Sequence, residues 1–595
     1  MKAEERWQAR FRAPRMTLPV WARQAPNRSV YRCNFSGAWE IYAWDRPMGT
    51  SRQVTERPNG TARGAIDPTG QWIWWFADTD GDEYGVWMRQ PWDGGPDKTA
   101  HPDVLPGYPA GLGLSAGGTA AIGRSSRDGF QVLLVRPDAD PDSNDAPVEL
   151  YRSGEAAQVA AMSLDGFLTA INHSEHGDAR HPALRVVKYN GQVVGELDDG
   201  PDKAIVGLRF APVLGDRRLL CLHERRGHHE PLVWDPVTGE QREVWLRGVP
   251  GEVTADWYPD GRALLIIHHH RGRTELLRYD LGGGGMTPIQ TQHGMIESAA
   301  ARHDGSVEYS WSSAAHPPVI RSTSGQVVLN CPGPPAPPSV PLEDADITGP
   351  GGRVHALISR PERGPAPYPT VFLLHGGPAA QDDDSFAPEV AAWVDNGFAV
   401  VRINYRGSTG YGAAWRDALR GEIGHIELAD IAAVRDWAVS RGIADPARLV
   451  LAGGSWGGYL TLLGLAIQSR SWALGIAAVP IADHAAAYEQ EAEGLRAYHR
   501  SLLGGSPEEV PERYATASPI TYVDSLEAPL LVLAGENDPR CPIGQIERYI
   551  DALRDRGHSH EVYRYDAGHG TLVVEERIRQ MAVQLAFARK HLRRP

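Results

Sequence analysis

Apolar positions along the chain change their period near residue 335. Before Ser324 they fall in short alternating runs, rich in tryptophan and arginine and separated by Asp-Gly and other glycine turns, the pattern of short strands joined tightly. A turn followed by an apolar strand recurs, most clearly at Asp67-Pro-Thr-Gly-Gln-Trp-Ile-Trp-Trp75, Ser163-Leu-Asp-Gly-Phe-Leu-Thr169, Tyr258-Pro-Asp-Gly-Arg-Ala-Leu-Leu265 and His303-Asp-Gly-Ser-Val-Glu308. Fainter copies lie at Asn34–Trp39, Ser115–Ala120 and Pro212–Arg217. Recurrence at roughly 45 to 50 residues is the interval of four-stranded blades and predicts a β-propeller of about seven of them. A pair of β-sandwiches, the competing architecture, would show short strands without that interval.

Cys331-Pro-Gly-Pro-Pro-Ala-Pro-Pro-Ser-Val-Pro341 resists both helix and sheet and reads as a domain boundary. Beyond it, apolar strands (Thr370–Leu374, Phe398–Ile403, Arg448–Ala452, Pro529–Ala534) alternate with helical spacing over Glu389–Asn396, Ile426–Arg441 and Gln545–Arg556. Such alternation predicts a mostly parallel sheet covered on both faces.

Composition narrows the functional classes. A chain of 595 residues needs at least two domains. A formal net charge of -14 argues against a nucleic-acid partner. Four cysteines without paired spacing suggest neither a disulfide framework nor a zinc cluster. The charged amino terminus lacks the apolar core of a secretory signal, and no run approaches the ~20 apolar residues of a membrane span. The expectation is a cytoplasmic protein that does not engage membranes, with homo-oligomerisation left open. Histidines cluster at His268-His269-His270 and at His223, His228 and His229 around Glu224. Adjacent strand residues point to opposite faces, so these read as strand-end and loop residues rather than metal ligands.

The chemistry centres on Arg448-Leu-Val-Leu-Ala-Gly-Gly-Ser-Trp-Gly-Gly-Tyr459, where a strand meets a helix through Gly453-x-Ser455-x-Gly457. This nucleophile-elbow spacing exposes a serine hydroxyl and aims the N–H groups of the following helix at charge developing beside it. The hydroxyl needs a histidine to take its proton and an acid to hold that histidine. On such a sheet the order is serine, acid, histidine. Asp538, after the strand ending at Ala534, and His569, after Glu561–Tyr565, satisfy it. Glu536 and Asp566 are nearby acids, but the first lies close to the strand end and the second opens a turn. His375 shapes the His375-Gly-Gly-Pro378 loop, whose Gly377 N–H joins that of Trp456 as the expected oxyanion hole. No metal or organic cofactor is required. The segment Tyr488-Glu-Gln-Glu-Ala-Glu493 lies where Tyr488, Glu489 and Glu491 reach a substrate's amino end, the competing reading being a solvated acidic helix face.

Gly453-Gly-Ser-Trp-Gly-Gly-Tyr459, His375-Gly-Gly-Pro378, Asn404-Tyr-Arg-Gly-Ser-Thr-Gly-Tyr-Gly412 and Asn537-Asp-Pro-Arg540 together resemble the prolyl oligopeptidase family of serine peptidases, in its acylaminoacyl peptidase and aminopeptidase branch. The resemblance implies a propeller over 25–335 capping an α/β-hydrolase domain over 336–595, with 1–24 as an N-terminal segment. It also implies a buried site that admits short peptides or small amides, and a substrate-carbonyl ligand at Arg540. A tyrosine that prolyl oligopeptidase adds to its oxyanion hole has no counterpart in the His-Gly-Gly-Pro loop, which speaks against strict post-proline cleavage. Rival readings are an esterase or amidase acting on a small natural product, and a non-catalytic propeller scaffold.

Overall fold

The computed structural model describes residues 3–137 and 146–592. Seven consecutive antiparallel sheets, spanning 20–53, 64–99, 108–153, 157–197, 205–243, 252–289 and 295–322, form a seven-bladed β-propeller; six have four strands and the last has three. The recurring turn is the one between first and second strands, closed for instance by Gly70 N to Asp67 O at 3.0 Å and Gly261 N to Tyr258 O at 2.9 Å. The first blade is the exception. Its copy, Asn34–Trp39, joins the second and third strands, because the first two are connected only through Arg23 and Gln24.

The tryptophan and arginine content has a packing reason: guanidinium groups lie over indole faces, Arg89 4.1 Å from Trp72, and Arg302 and Arg23 4.6 and 4.8 Å from Trp21. Tyr31 and Trp44 of the first blade pack with Ile320 of the last, closing the ring. The first strands of the blades line an axial cavity of about 840 Å³, bordered by Trp21, Arg23, Arg63, Met162, Arg209 and Asp256.

The second domain is an α/β-hydrolase fold. Its eight strands are β1 (Glu343–Gly349), β2 (Gly352–Ser359), β3 (Tyr368–Leu374), β4 (Ala399–Asn404), β5 (Ala444–Gly454), β6 (Leu474–Ala478), β7 (Leu530–Gly535) and β8 (His560–Tyr565), in the order 1-2-4-3-5-6-7-8. β1, β2 and β4 pair antiparallel; from β4 through β8 all pairs are parallel. Strands such as Leu530–Gly535 are buried throughout, as a sheet with two covered faces requires. One face is packed by helices that include Ile431, Val434, Leu460 and Leu463. On the other, Trp7 and Phe11 of the N-terminal helix Ala3–Arg12 join Trp393, Met581 and Phe587. The first helix of the chain therefore belongs to the core of the last domain. Arg10, fully buried, donates to Pro337 O at 3.0 Å in the proline-rich connector and pairs with Asp395.

Blades 1 and 2 reach down to the catalytic domain. Trp39 N donates to Leu572 O at 3.1 Å and Val574 N to Gly37 O at 2.8 Å, while Gly81 packs on Gly568. Farther round the ring, Arg271–Asp346 and Arg273–Asp344, each at 2.8 Å, join the domains, as do Arg416 with Glu224 and Arg180 with Asp417.

Candidate active site

β5 ends at Gly454, and Ser455 turns into the helix Trp456–Ile467 with φ +55° and ψ −118°. A side chain at positive φ is strained and persists only where its surroundings enforce it. They do so here: Ser455 N donates to Ala478 O at 2.9 Å and Tyr459 N to Ser455 O at 2.9 Å. Both flanking glycines are obligatory, since a Cβ on Gly453 would stand 2.5 Å from Gly457 C and one on Gly457 2.1 Å from Leu374 O.

Asp538 and His569, on the loops after β7 and β8, meet: His569 Nδ1 lies 2.8 Å from Asp538 Oδ2. The other carboxylate oxygen accepts from Arg540 N at 2.8 Å and Cys541 N at 2.9 Å, so the acid is held from two sides. With Nδ1 donating to the acid, Nε2 is left as the proton acceptor. The competing acids are elsewhere. Glu536 and Asp566 are exposed, and Asp566 accepts from Asn537 Nδ2 at 3.0 Å.

Gly376 of the early loop lies against the nucleophile. A Cβ on Gly376 would lie 3.9 Å from Ser455 Oγ, and Gly377 takes φ +127°. His375 is stacked on Tyr405 with ring centroids 4.3 Å apart, and Tyr405 Oη donates to His375 O at 2.7 Å. Burial pushes the His375 imidazole down to about 4, which keeps it neutral. Its contacts are those of a loop-shaping residue.

Trp456 opens the helix after the nucleophile and is buried. Its indole N–H donates to Glu427 Oε1 at 3.1 Å, while Gly424 N donates to Glu427 Oε2 at 2.7 Å. Burial pushes the Glu427 carboxyl up to about 8, against the pull of its hydrogen-bond donors. Glu427 carries no signal in the sequence. It sits among helical polar positions that look like a solvated face, and only tertiary packing turns it inward.

The remaining candidates separate. Arg540 is half exposed and pairs with Glu83 of blade 2 at 2.8 Å. Tyr488 Oη accepts from Arg500 at 3.0 Å. Glu489 is exposed, with its backbone carbonyl accepting from Arg496 at 2.6 Å, whereas Glu491 is buried and accepts from His499 Nδ1 at 2.7 Å. Two further residues escape sequence reasoning. Burial pushes the Tyr498 phenol up, against the opposing pull of the Ala379 backbone in the early glycine loop. Burial, with the charges of Asp538 and Glu491, pushes the Cys541 thiol well above its ordinary range, so it is no competing nucleophile.

Among the described residues, two groups of ligand-type side chains have atoms within 4.8 Å of one another: Asp538, Cys541 and His569, and Asp178, His181 and Asp202. The first is the hydrogen-bonded cluster already described; the second lies at the domain interface. Neither histidine cluster noted in the sequence is among them. His268 Nε2 is instead 2.5 Å from Pro250 O, and His229 is 3.3 Å from Glu224.

Residues 384–594 match the sequence profile of the prolyl oligopeptidase family. Among curated proteins, the chain is 31% identical over 242 residues to Dipeptidyl peptidase family member 6 of Caenorhabditis elegans, covering 39% of this chain and 32% of that one. It is 34% identical over 198 residues to the Acylamino-acid-releasing enzyme of Arabidopsis thaliana, covering 32% and 26%. With the Uncharacterized peptidase YuxL of Bacillus subtilis the match is 28% over 375 residues, 59% and 54%. These matches thus span about a quarter to a half of the relatives' lengths. Among solved structures, a puromycin hydrolase superposes with TM-score 0.82 at 21% identity over 99% of this chain and 96% of that one. Pyrococcus horikoshii acylaminoacyl peptidase gives 0.73 at 15%, over 99% and 98%.

Proposed function

Residues 384–594 belong to the prolyl oligopeptidase family, and from that premise we propose that the protein is a serine peptidase hydrolysing short peptides, or aminoacyl and acylaminoacyl amides, through an acyl-enzyme. The observations that carry the reading are the His569 Nδ1–Asp538 Oδ2 hydrogen bond of 2.8 Å and the positive φ of Ser455 at the strand-to-helix turn. Ser455 attacks the scissile carbonyl as His569 Nε2 takes its proton, and Asp538 holds the imidazole and stabilises the imidazolium. The backbone N–H groups of Trp456 and Gly377 receive the oxyanion. His569 then protonates the leaving amine, and water clears the acyl group by the same sequence.

Arg540, next to the acid, is the ligand for a substrate carbonyl, with Glu83 fixing its guanidinium. Tyr488 and Glu489 belong to the rim of the substrate cleft, near its amino end. The propeller covers the catalytic face and limits substrates to short chains. Four unbridged cysteines suit the reducing cytoplasm, and no described helix is long and apolar enough to cross a membrane. The likeness of fold to a puromycin hydrolase favours a second reading, in which the amide of a small natural product is the substrate.

Labelling with a fluorophosphonate, together with aminoacyl, N-acetyl-aminoacyl and simple ester chromogenic substrates, tests both readings. Label on Ser455 with amide turnover is the expected result. Turnover confined to esters defeats the peptidase reading, and absence of label leaves a binding scaffold.

A further inference from the structure

The axial cavity of the propeller is lined by four arginines and two acids, an excess of positive charge inside a chain whose formal net charge is -14. The charges fall into two groups. In one, Arg23 and Arg209 share Asp256 at 3.5 and 3.3 Å. In the other, Arg32 and Arg63 have Glu297 as the acid near them, and none of the three forms an ion pair among the described residues. Arg32 Nη1 donates only to a backbone carbonyl, Ala62 O, at 2.8 Å. This second group stands next to the catalytic domain. Arg32 precedes the turn Asn34–Trp39, and Trp39 N donates to Leu572 O at 3.1 Å; Trp39 O accepts at 2.7 Å from Thr61 N, two residues before Arg63.

A third guanidinium joins them from the segment that enters the propeller. Arg15 and Arg32 each lie 5.8 Å from the Trp39 ring. Arg15 Nε is shielded from solvent and has no hydrogen-bond partner among the described residues. Burial, with Arg577 adding to the effect, pushes this guanidinium down to about 10. Arg577 and Glu389, the other charges it feels strongly, are paired with each other, and the Glu297 carboxylate is felt by Arg15 and Arg32 alike. Three guanidiniums thus have one carboxylate among them, and a partly desolvated cation without a partner is costly unless an anion comes to it. A carboxylate fits, because its two oxygens match the parallel N–H donors of a guanidinium. The position says which carboxylate. Leu572, the partner of Trp39, is three residues after His569, and that histidine hands its proton to the leaving amine.

We propose that Arg15, Arg32 and Arg63 bind the carboxylate of the departing fragment, so that peptides with a free carboxylate beyond the cleaved bond are preferred over the same peptides with a neutral end. The inference rests on the peptidase reading of Ser455 and deepens it. Arg540 does not compete for this anion, since Glu83 already pairs with it. Arg23 and Arg209, with Asp256 between them, have their charge partly met within the cavity.

The test gives the full chain Ala-Ala-Ala and its C-terminal amide, each with a free and with an acetylated amino end. At low salt the acid should exceed the amide in kcat/KM by about 10- to 100-fold, the scale of hydrogen bonds to a charged group, and the ratio should shrink at high salt. In Arg15→Gln, Arg32→Gln and Arg63→Gln it should fall toward one. Equal use of acid and amide by the wild type, or a ratio that survives in all three variants, overturns the proposal. Calorimetric titration of the same peptides into Ser455→Ala protein reads the site with its arginines intact: the acid should bind tighter by a similar factor, and equal affinities count against a carboxylate site. A wild type that cleaves none of the peptides, while Ser455→Ala protein still favours the acid, defeats the peptidase reading and leaves the anion site standing, which keeps the two failures distinct.

Discussion

Gly81 of the propeller and Gly568 of the catalytic domain are in backbone contact: a Cβ on Gly568 would stand 1.9 Å from Gly81 O, and one on Gly81 2.9 Å from Gly568 N. The contact is one residue from His569, and Asn537 Nδ2, one residue from Asp538, donates to Asp80 O at 3.3 Å. The hairpin of blade 2 thus presses on the histidine loop and the acid loop together. Gly568→Ala should lower kcat/KM by roughly 100-fold, the scale of a 1 Å misplacement of a catalytic group. Steady-state kinetics at wild-type level in a folded Gly568→Ala protein would show that the propeller contact does not set the histidine.

Asp538→Asn should reduce kcat by about 10⁴-fold. Arg540 N and Cys541 N both donate to Oδ1, so the amide oxygen takes that position and its NH2 faces His569 Nδ1. The imidazole is then driven to the tautomer with its proton on Nε2, which cannot accept from Ser455. Ser455→Ala should be at least as damaging. Pre-steady-state release of the chromophore should show no acyl-enzyme burst in either variant.

Trp456→Phe removes the indole donor and leaves Glu427 Oε1 without it in the interior. A loss of about 1–3 kcal/mol of stability follows, visible as a lower thermal midpoint. The backbone N–H assigned to the oxyanion is kept in the variant and only loses the anchoring of its own side chain, so kcat should fall modestly with little change in KM. A rise in KM alone would remove Trp456 from that role.

The domain interface should weaken on the alkaline side. Against the desolvation of burial, hydrogen bonds to Asp178 and Asp417 raise His181 to about 9. The folded value lies above the ordinary ~6.5, so the stabilisation is complete below about 6.5 and is lost as pH rises through about 9. His181→Gln should destabilise the protein by ~2 kcal/mol at pH 6, the gap from wild type narrowing by pH 10. Thermal unfolding across that range reads it. A gap that stays constant means that ionisation of His181 does not hold the domains.

Much was legible in the residues themselves because the constraints are local. Turn chemistry at Asp67–Gly70 or Tyr258–Gly261 recurs once per blade, a period of two gives way to strand and helix alternation after the prolines, and close backbone approach at the elbow tolerates only Gly453 and Gly457. The chain order of Ser455, Asp538 and His569 follows from the same strand-to-loop logic. Other features were settled only when distant segments packed together. The helix Ala3–Arg12 lies against the sheet formed some 340 residues later. A blade-2 turn abuts Gly568, and Glu427 holds Trp456. Of two acids spaced like a solvated face, Glu491 is buried and Glu489 is not. Contacts between segments hundreds of residues apart leave no periodic trace, because each depends on a single side chain and on what burial does to its charge.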